Sequence, residues 1–147
     1  MGSIVDPAAD VVWEAASTRI TIAGTEENAP QNDEDWARVR ASALQLVEAT
    51  NLLLIPRPVA KPGERALPDQ NVELQPEEIQ KLIDADRGTF NSFAHGLHDA
   101  AMVSLNAIEK KDITALFESG EGIEMACERC HLKYWYPNDV RPPAPAP

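Results

Sequence analysis

Apolar residues recur three and four positions apart along most of this chain, the spacing of one face of an α-helix. The first such stripe is Ala9, Trp13, Ala16, Ile20 and Ala23, widened by Val12 and Ala15. It predicts a helix with Asp6 as N-cap and Pro7 at the first helical position, stopping near Gly24. The β-branched run from Thr18 to Ile22 weakens its later half. Residues 25–32 are polar, contain Pro30 and predict a loop. Asp33 reads as the next N-cap, with Glu34 and Asp35 suited to the positive end of a helix dipole. The second helix carries Trp36, Val39, Arg40, Ala43, Val47, Thr50, Asn51 and Leu54 on one side. Leu44, Leu46, Leu52 and Leu53 broaden that side, and Pro56 ends the helix.

Residues 56–75 contain Pro56, Pro58, Pro62 and Pro68, which no stable helix or central strand tolerates. A connection this long is uncommon inside a compact domain. It predicts a segment crossing one end of the fold or covering a sheltered surface. Helical spacing resumes at Pro76 and continues through Ile79, Leu82, Ile83, Phe90, Phe93, Ala94, Leu97, Ala101, Leu105 and Ile108. Unbroken to Lys111 it would be about 54 Å long, against about 33 Å for the second helix, at ~1.5 Å per residue. A break near Asp84 to Gly88 is therefore expected, with a short helix before it and the main third helix over about 87–111. Asp112 caps the fourth helix, whose stripe is Ile113, Leu116, Phe117, Gly120, Ile123, Cys127, Cys130, His131 and Tyr134. Gly120 and Gly122 cost helix stability but let another backbone or a flat ring come close. Pro137 ends the helix. The proline-rich tail of residues 137–147 finishes in Arg141 to Pro147, an extended terminus or linker stub.

The chemistry concentrates on the fourth helix, in Cys127-Glu128-Arg129-Cys130-His131. Two thiols three residues apart, with an imidazole directly after the second, form the attachment signature of a c-type haem. On a helix, positions i and i+3 share a face and i+4 lies beside them. Cys127 and Cys130 therefore reach the two vinyl groups on one edge of a porphyrin. His131 turns a ring nitrogen to the iron as its proximal ligand. The motif also falls on the predicted buried face of an amphipathic helix, an observation independent of its spacing.

Length and composition narrow the rest. The 147 residues fit one domain, with residues 1–5 a cloning scar or disordered start and residues 6–136 the helical body. There are two cysteines, both in the motif, so a disulfide framework is excluded. The net charge of -11 argues against nucleic acid as a partner and permits docking to a basic protein. No run approaches the ~20 apolar residues of a membrane span. Met1-Gly2-Ser3 leads straight into a polar stretch, so an export signal is expected to have been replaced by a scar. No catalytic carboxylate pair, nucleophile constellation or phosphate loop is visible, and no enzymatic activity is expected.

Four amphipathic helices with one long crossing between the second and third predict an all-α four-helix bundle. With Cys-x-x-Cys-His near the C-terminus of the last helix, the chain resembles the cytochrome c prime group. Mitochondrial-type cytochromes c place that motif near the chain start. The resemblance covers about Asp6 to Trp135 and is strongest at Cys127, Cys130 and His131. It implies one haem c held by thioethers at Cys127 and Cys130, with iron ligated by His131. It also implies a periplasmic setting, frequent homodimers, a redox partner protein, and roles in electron transfer or in binding nitric oxide and carbon monoxide. Two departures stand out. Relatives with a six-coordinate haem use a methionine on the first helix, and none lies between Asp6 and Gly24 here. The distal face would then be lined by Val12, Trp13, Ala15 or Ala16. Many relatives carry a basic residue a few positions after the histidine, where this chain has Tyr134-Trp135-Tyr136.

Other readings compete residue by residue. Electron transfer leads, and gas binding at a five-coordinate iron is the alternative. A zinc-stabilised interaction module needs four ligands, for which Cys127, Cys130, His95 and His98 are available. A dithiol redox pair belongs at a helix N-terminus near strands, unlike this motif. His98 or Met102 is a candidate sixth ligand, although solvated or hydrogen-bonded histidines are the plainer reading. Arg40, on the core side of the second helix, is a candidate partner for a haem propionate, with a surface role as its plainer reading. Trp13 and Trp36 are candidates to pack on the porphyrin, or plain core. Met125 points away from Cys127 and is excluded as a ligand.

Overall fold

A computed structural model describes residues 1–65 and 72–139 of the chain. In chain order these hold α1 (Val5–Ala15), β1 (Ser17–Thr21), β2 (Gly24–Asn28), α2 (Asp33–Leu54), α3 (Pro76–Ala85), α4 (Arg87–Glu109) and α5 (Ile113–Tyr134). The chain is mostly helical. The tail expected over 137–147 lies outside the described residues from 140 onward, as does Pro68 of the proline-rich connection.

The first helix ends at Ala15, well short of Gly24. The β-branched run wins over the helical spacing, as its side-chain crowding favours strand. Ser17 pairs with Asn28 and Thr21 with Gly24 in an antiparallel hairpin, so the first half of the loop expected over 25–32 is strand. Gly24 has φ 136°, a conformation other residues rarely adopt. The glycine expected to stop a helix turns a hairpin instead. Ile20, the next member of the stripe, is 84% exposed. The start differs too: Ile4 occupies the N-cap position without a side-chain cap, and Asp6 lies in the first turn, where its charge suits the dipole.

Asn32 rather than Asp33 caps α2, its Oδ1 accepting from the Asp35 N–H at 2.9 Å. The buried face of α2 is Val39, Ala43, Leu46, Val47, Ala49 and Thr50. It centres on Leu46, so Arg40 and Asn51 fall in solvent. The expected break in the third helical region is present at Asp86. Gln75 and Glu78 form a capping box at the start of α3, and the Asp86 carboxylate accepts from the Thr89 N–H at 3.3 Å to start α4. Asp112 caps α5 through the Ala115 N–H at 3.0 Å.

The turn from α4 to α5 is a Schellman motif. Asp112 N–H donates to the Ala107 carbonyl and Lys111 N–H to that of Ile108. It places Lys111 at φ 53°, where a Cβ is crowded. Its ammonium pairs with Asp33 at 2.5 Å, an exposed contact of little worth. Lys111→Gly is therefore expected to stabilise the fold by about 0.5–1 kcal/mol, read as a higher urea midpoint with unchanged slope.

Neighbouring helices in the core run antiparallel. Trp13 meets Gly120 while Asp6 acts on Cys127, which sets α1 against α5. Arg40 meets Glu109 and Leu53 meets Arg87, which sets α2 against α4. Between α4 and α5 the buried hydroxyls of Ser104 and Ser119 lie 2.7 Å apart. Both serines sit at core spacing on their helices, and the hydrogen bond satisfies them there. The four helices bury Val12, Leu46, Ala101, Leu105, Leu116 and Ile123 between them. At one end meet the start of α1, the end of α2, α3, the start of α4 and the end of α5. The proline-rich connection is tied to that end: Val59 N–H donates to the Gln80 side chain at 2.9 Å, and Leu74 N–H to the Trp135 carbonyl at 2.8 Å.

Candidate functional site

Ile123 and Tyr134 fix the roll of α5, since both are buried on its inner face. Cys127, Cys130 and His131 fall between them and are half-buried. All three line one cleft, with Leu53 from α2, Phe90, Phe93, Ala94 and Leu97 from α4, and Met1. The Tyr134 ring sits edge-on to Phe90 and Phe93, with centroids at 5.5 and 6.1 Å. Its hydroxyl donates to the Asp86 carbonyl at 3.1 Å, and Lys133 pairs with the Asp86 carboxylate at 2.6 Å. The lysine's hydrogen bond holds the Asp86 carboxyl below its ordinary value. The end of α5 is thereby pinned to the junction of α3 and α4.

The stretch after the histidine packs back on it. The Trp135 ring stands edge-on to the His131 ring at 4.9 Å, and that of Tyr136 lies 5.8 Å away. Their amides both donate to the His131 carbonyl. Tyr136 also donates to the Glu128 carboxylate at 2.6 Å.

Burial governs the electrostatics of the motif. It pushes the Cys127 thiol up to about 11, with Asp6, Glu128 and Glu124 adding to it. The Cys130 thiol is pushed up to about 11 by burial and by Cys127. Burial lowers His131, against opposing pulls from Glu128 and Asp6. At neutral pH the site holds two protonated thiols and a neutral imidazole with a free lone pair. A redox dithiol needs a lowered thiol pKa, so that reading does not suit these surroundings. Among the described residues no three His, Cys, Asp or Glu side chains come together to hold a metal. His95 is exposed, and His98 Nδ1 lies 3.1 Å from the Asp99 carboxylate. The four-ligand zinc set read from the sequence is thus not assembled.

The donor set is the one that a covalently attached haem would use. Two sulfurs and one imidazole share an apolar, aromatic-walled cleft, and Met1 supplies a further thioether at its edge. The cleft measures about 20 Å³, whereas a sizeable organic ligand occupies on the order of several hundred Å³. Phe90, Phe93 and Leu97 must turn aside for a porphyrin.

The expected distal lining needs correction, whereas His98, Arg40 and Trp36 follow the plainer of their two readings. Val12, Trp13 and Ala16 do not face the motif. They line a separate groove of about 450 Å³ with Leu116, Phe117 and Gly120, and Ala15 is buried in the core. Trp13 Nε1–H donates to the Gly120 carbonyl at 3.1 Å. A Cβ on Gly120 would lie 3.1 Å from the indole, so the flat ring this glycine admits is that of Trp13. Neither His98 nor Met102 lines the cleft, and Met102 packs against the core. Trp36 packs there as well. Arg40 pairs with Glu109 at 3.0 Å, at the far end of α2 from the motif. Met125 is exposed, as expected.

Met1, from the stretch expected to be a scar or disordered start, lines the cleft, and Arg87 contacts two of its walls, Leu53 and Phe90. Arg87 had a visible signal, because a cation in the first turn of a helix opposes the dipole.

These features define a mostly helical protein with a cysteine-and-histidine cleft at one end of its helical core. Comparison of the chain with protein families, with curated proteins and with solved structures finds no match. No helix among the described residues is long and apolar enough to cross a membrane.

Proposed function

We propose that the chain is a c-type cytochrome with a cytochrome c prime-like four-helix bundle, carrying one haem on α5 and transferring electrons. One observation carries the reading: Cys127, Cys130 and His131 leave α5 into the same apolar cleft. Cys127 and Cys130 would hold the group by thioether links and His131 by a ring nitrogen. When bound, the haem supplies an iron that changes oxidation state by one electron. The chain's own residues do the rest. Burial keeps His131 neutral and its lone pair available. Trp135 and Tyr136 fix the plane of its ring. The apolar side chains around the motif would keep water from the iron, and a dry surround tunes the redox potential. The setting that accompanies this reading is the periplasm, and the partner is a redox protein with a basic docking face, complementary to the charge of -11.

The test is the intact mass and the absorption spectrum of the exported, matured protein. A mass equal to that of the polypeptide alone, with no Soret band, ends the reading. His131→Ala is expected to keep the haem attached while shifting the iron spectrum markedly. An unchanged spectrum would remove His131 as the ligand.

The second reading is binding of nitric oxide or carbon monoxide. It is supported by the cleft wall contributed by α2 and α4, where Leu53, Phe90, Phe93, Ala94 and Leu97 carry no metal-binding atom. A five-coordinate, high-spin spectrum that responds to carbon monoxide favours gas binding. A low-spin, unreactive iron favours electron transfer.

A further inference from the structure

Arg87 stands in the first turn of α4, at the positive end of the dipole, where a second positive charge is disfavoured. Two contacts hold it there. Its Nη2 donates to the Leu53 carbonyl at 2.9 Å, and its guanidinium lies over the Phe90 ring, 5.0 Å from the centroid. Leu53 and Phe90 are both walls of the cleft that contains Cys127, Cys130 and His131.

The guanidinium is not satisfied by these contacts. Among the described residues its Nε is buried without an acceptor. None of the ion pairs among the described residues includes Arg87. The nearest carboxylate in sequence, Asp86, already accepts from Lys133 and from the Thr89 N–H. One turn further along α4, Asn91 also has a buried side-chain oxygen without a partner. A buried donor left unfilled is costly. A half-buried guanidinium with no ion-pair partner among the described residues suits a planar carboxylate, which it can grip through two parallel hydrogen bonds.

We propose that Arg87 anchors a carboxylate of the molecule bound in this cleft, which on the cytochrome reading, and resting on it, is a haem propionate. Thioether links would tie one edge of the porphyrin to α5, and a haem carries its carboxylates on the edge opposite the vinyl groups. Arg40, the candidate that the sequence offered for this role, is committed to Glu109 at the other end of the core. Arg87 is thus a positioning residue, one that sets the tilt of the ring and masks a negative charge near the iron.

The experiment uses the haem-loaded protein and compares wild type with Arg87→Gln, Arg87→Lys and Arg40→Gln. Two readouts are taken: the propionate-bending band in resonance Raman spectra, and the midpoint potential. Arg87→Gln is expected to shift the band and lower the potential, because an unmasked carboxylate stabilises the oxidised iron. Arg87→Lys keeps the charge but loses the planar fork, so the band moves while the potential falls less. Arg40→Gln changes neither. A band and a potential unchanged in Arg87→Gln overturn the anchor while leaving the cytochrome reading intact. Wild type without haem overturns both. If Arg87→Gln does not accumulate, Arg87→Lys decides, and a wild-type band in that variant overturns the anchor.

Discussion

Replacing Cys127 and Cys130 together by serine is expected to abolish covalent haem attachment while leaving the helical fold in place. Both side chains are half-buried on the wall of the cleft rather than in the centre of the core. Each is a neutral thiol at pH 7, acting on the bare chain as a small apolar group. Serine is close in size, and its hydroxyl at a cleft wall costs about 1 kcal/mol or less per site. Serine oxygen forms no thioether, so the double variant should weigh no more than its polypeptide. Any haem it retains through His131 should extract into acidified organic solvent. The wild type should keep its haem through the same treatment. Mass spectrometry before and after extraction reads both outcomes. If wild type and double variant lose haem equally, the thiols are not the attachment points.

The largest loss of stability is expected from Ile123→Ala. Ile123 is fully buried, with 0% exposure, and lies one turn before Cys127 on the same face of α5. Removing most of a buried isoleucine leaves a cavity, with a penalty of about 2–5 kcal/mol. That is a large fraction of the ~5–15 kcal/mol that holds a typical domain together. The effect should extend to the site, because Ile123 and Tyr134 together set the roll that aims both thiols into the cleft. Met125→Ala, two residues on at an exposed position, is the control and should change stability by less than ~0.5 kcal/mol. Urea unfolding of both variants measures the contrast. Similar midpoints for the two would mean that α5 is not held by its inner face.

Much of this architecture was legible residue by residue. The break at Asp86 followed from length alone, since one helix through residues 76–111 would outrun its neighbours. Asp112 was readable as a cap, and Pro56 as a stop. The errors have equally local causes. Helical spacing from Ala9 to Ala23 and β-branched crowding from Thr18 to Ile22 made opposite demands on the same stretch. Crowding prevailed where no neighbouring helix covers Ile20. Arg40 lay on the apolar side of α2 only while the centre of that side was unknown. Once Leu46 is seen at the centre, Arg40 falls on the edge.

The sequence by itself determined the chemistry on offer: two thiols and an imidazole on one helical face, in a chain of amphipathic helices with no other cysteine. Those properties depend on covalent order and on the fixed pitch of a helix, which need no partner to be read. Only the tertiary structure decided what faces that chemistry. It put Phe90, Phe93 and Leu97 across from the motif, and turned Trp13, His98, Met102 and Arg40 elsewhere. The spacing along one helix settles which of its own residues share a side. Which residues of another helix meet them depends on the rotation and offset at which the two pack, and these come from the interlocking of Leu46, Ala101, Ser104, Ser119 and Ile123 across the core.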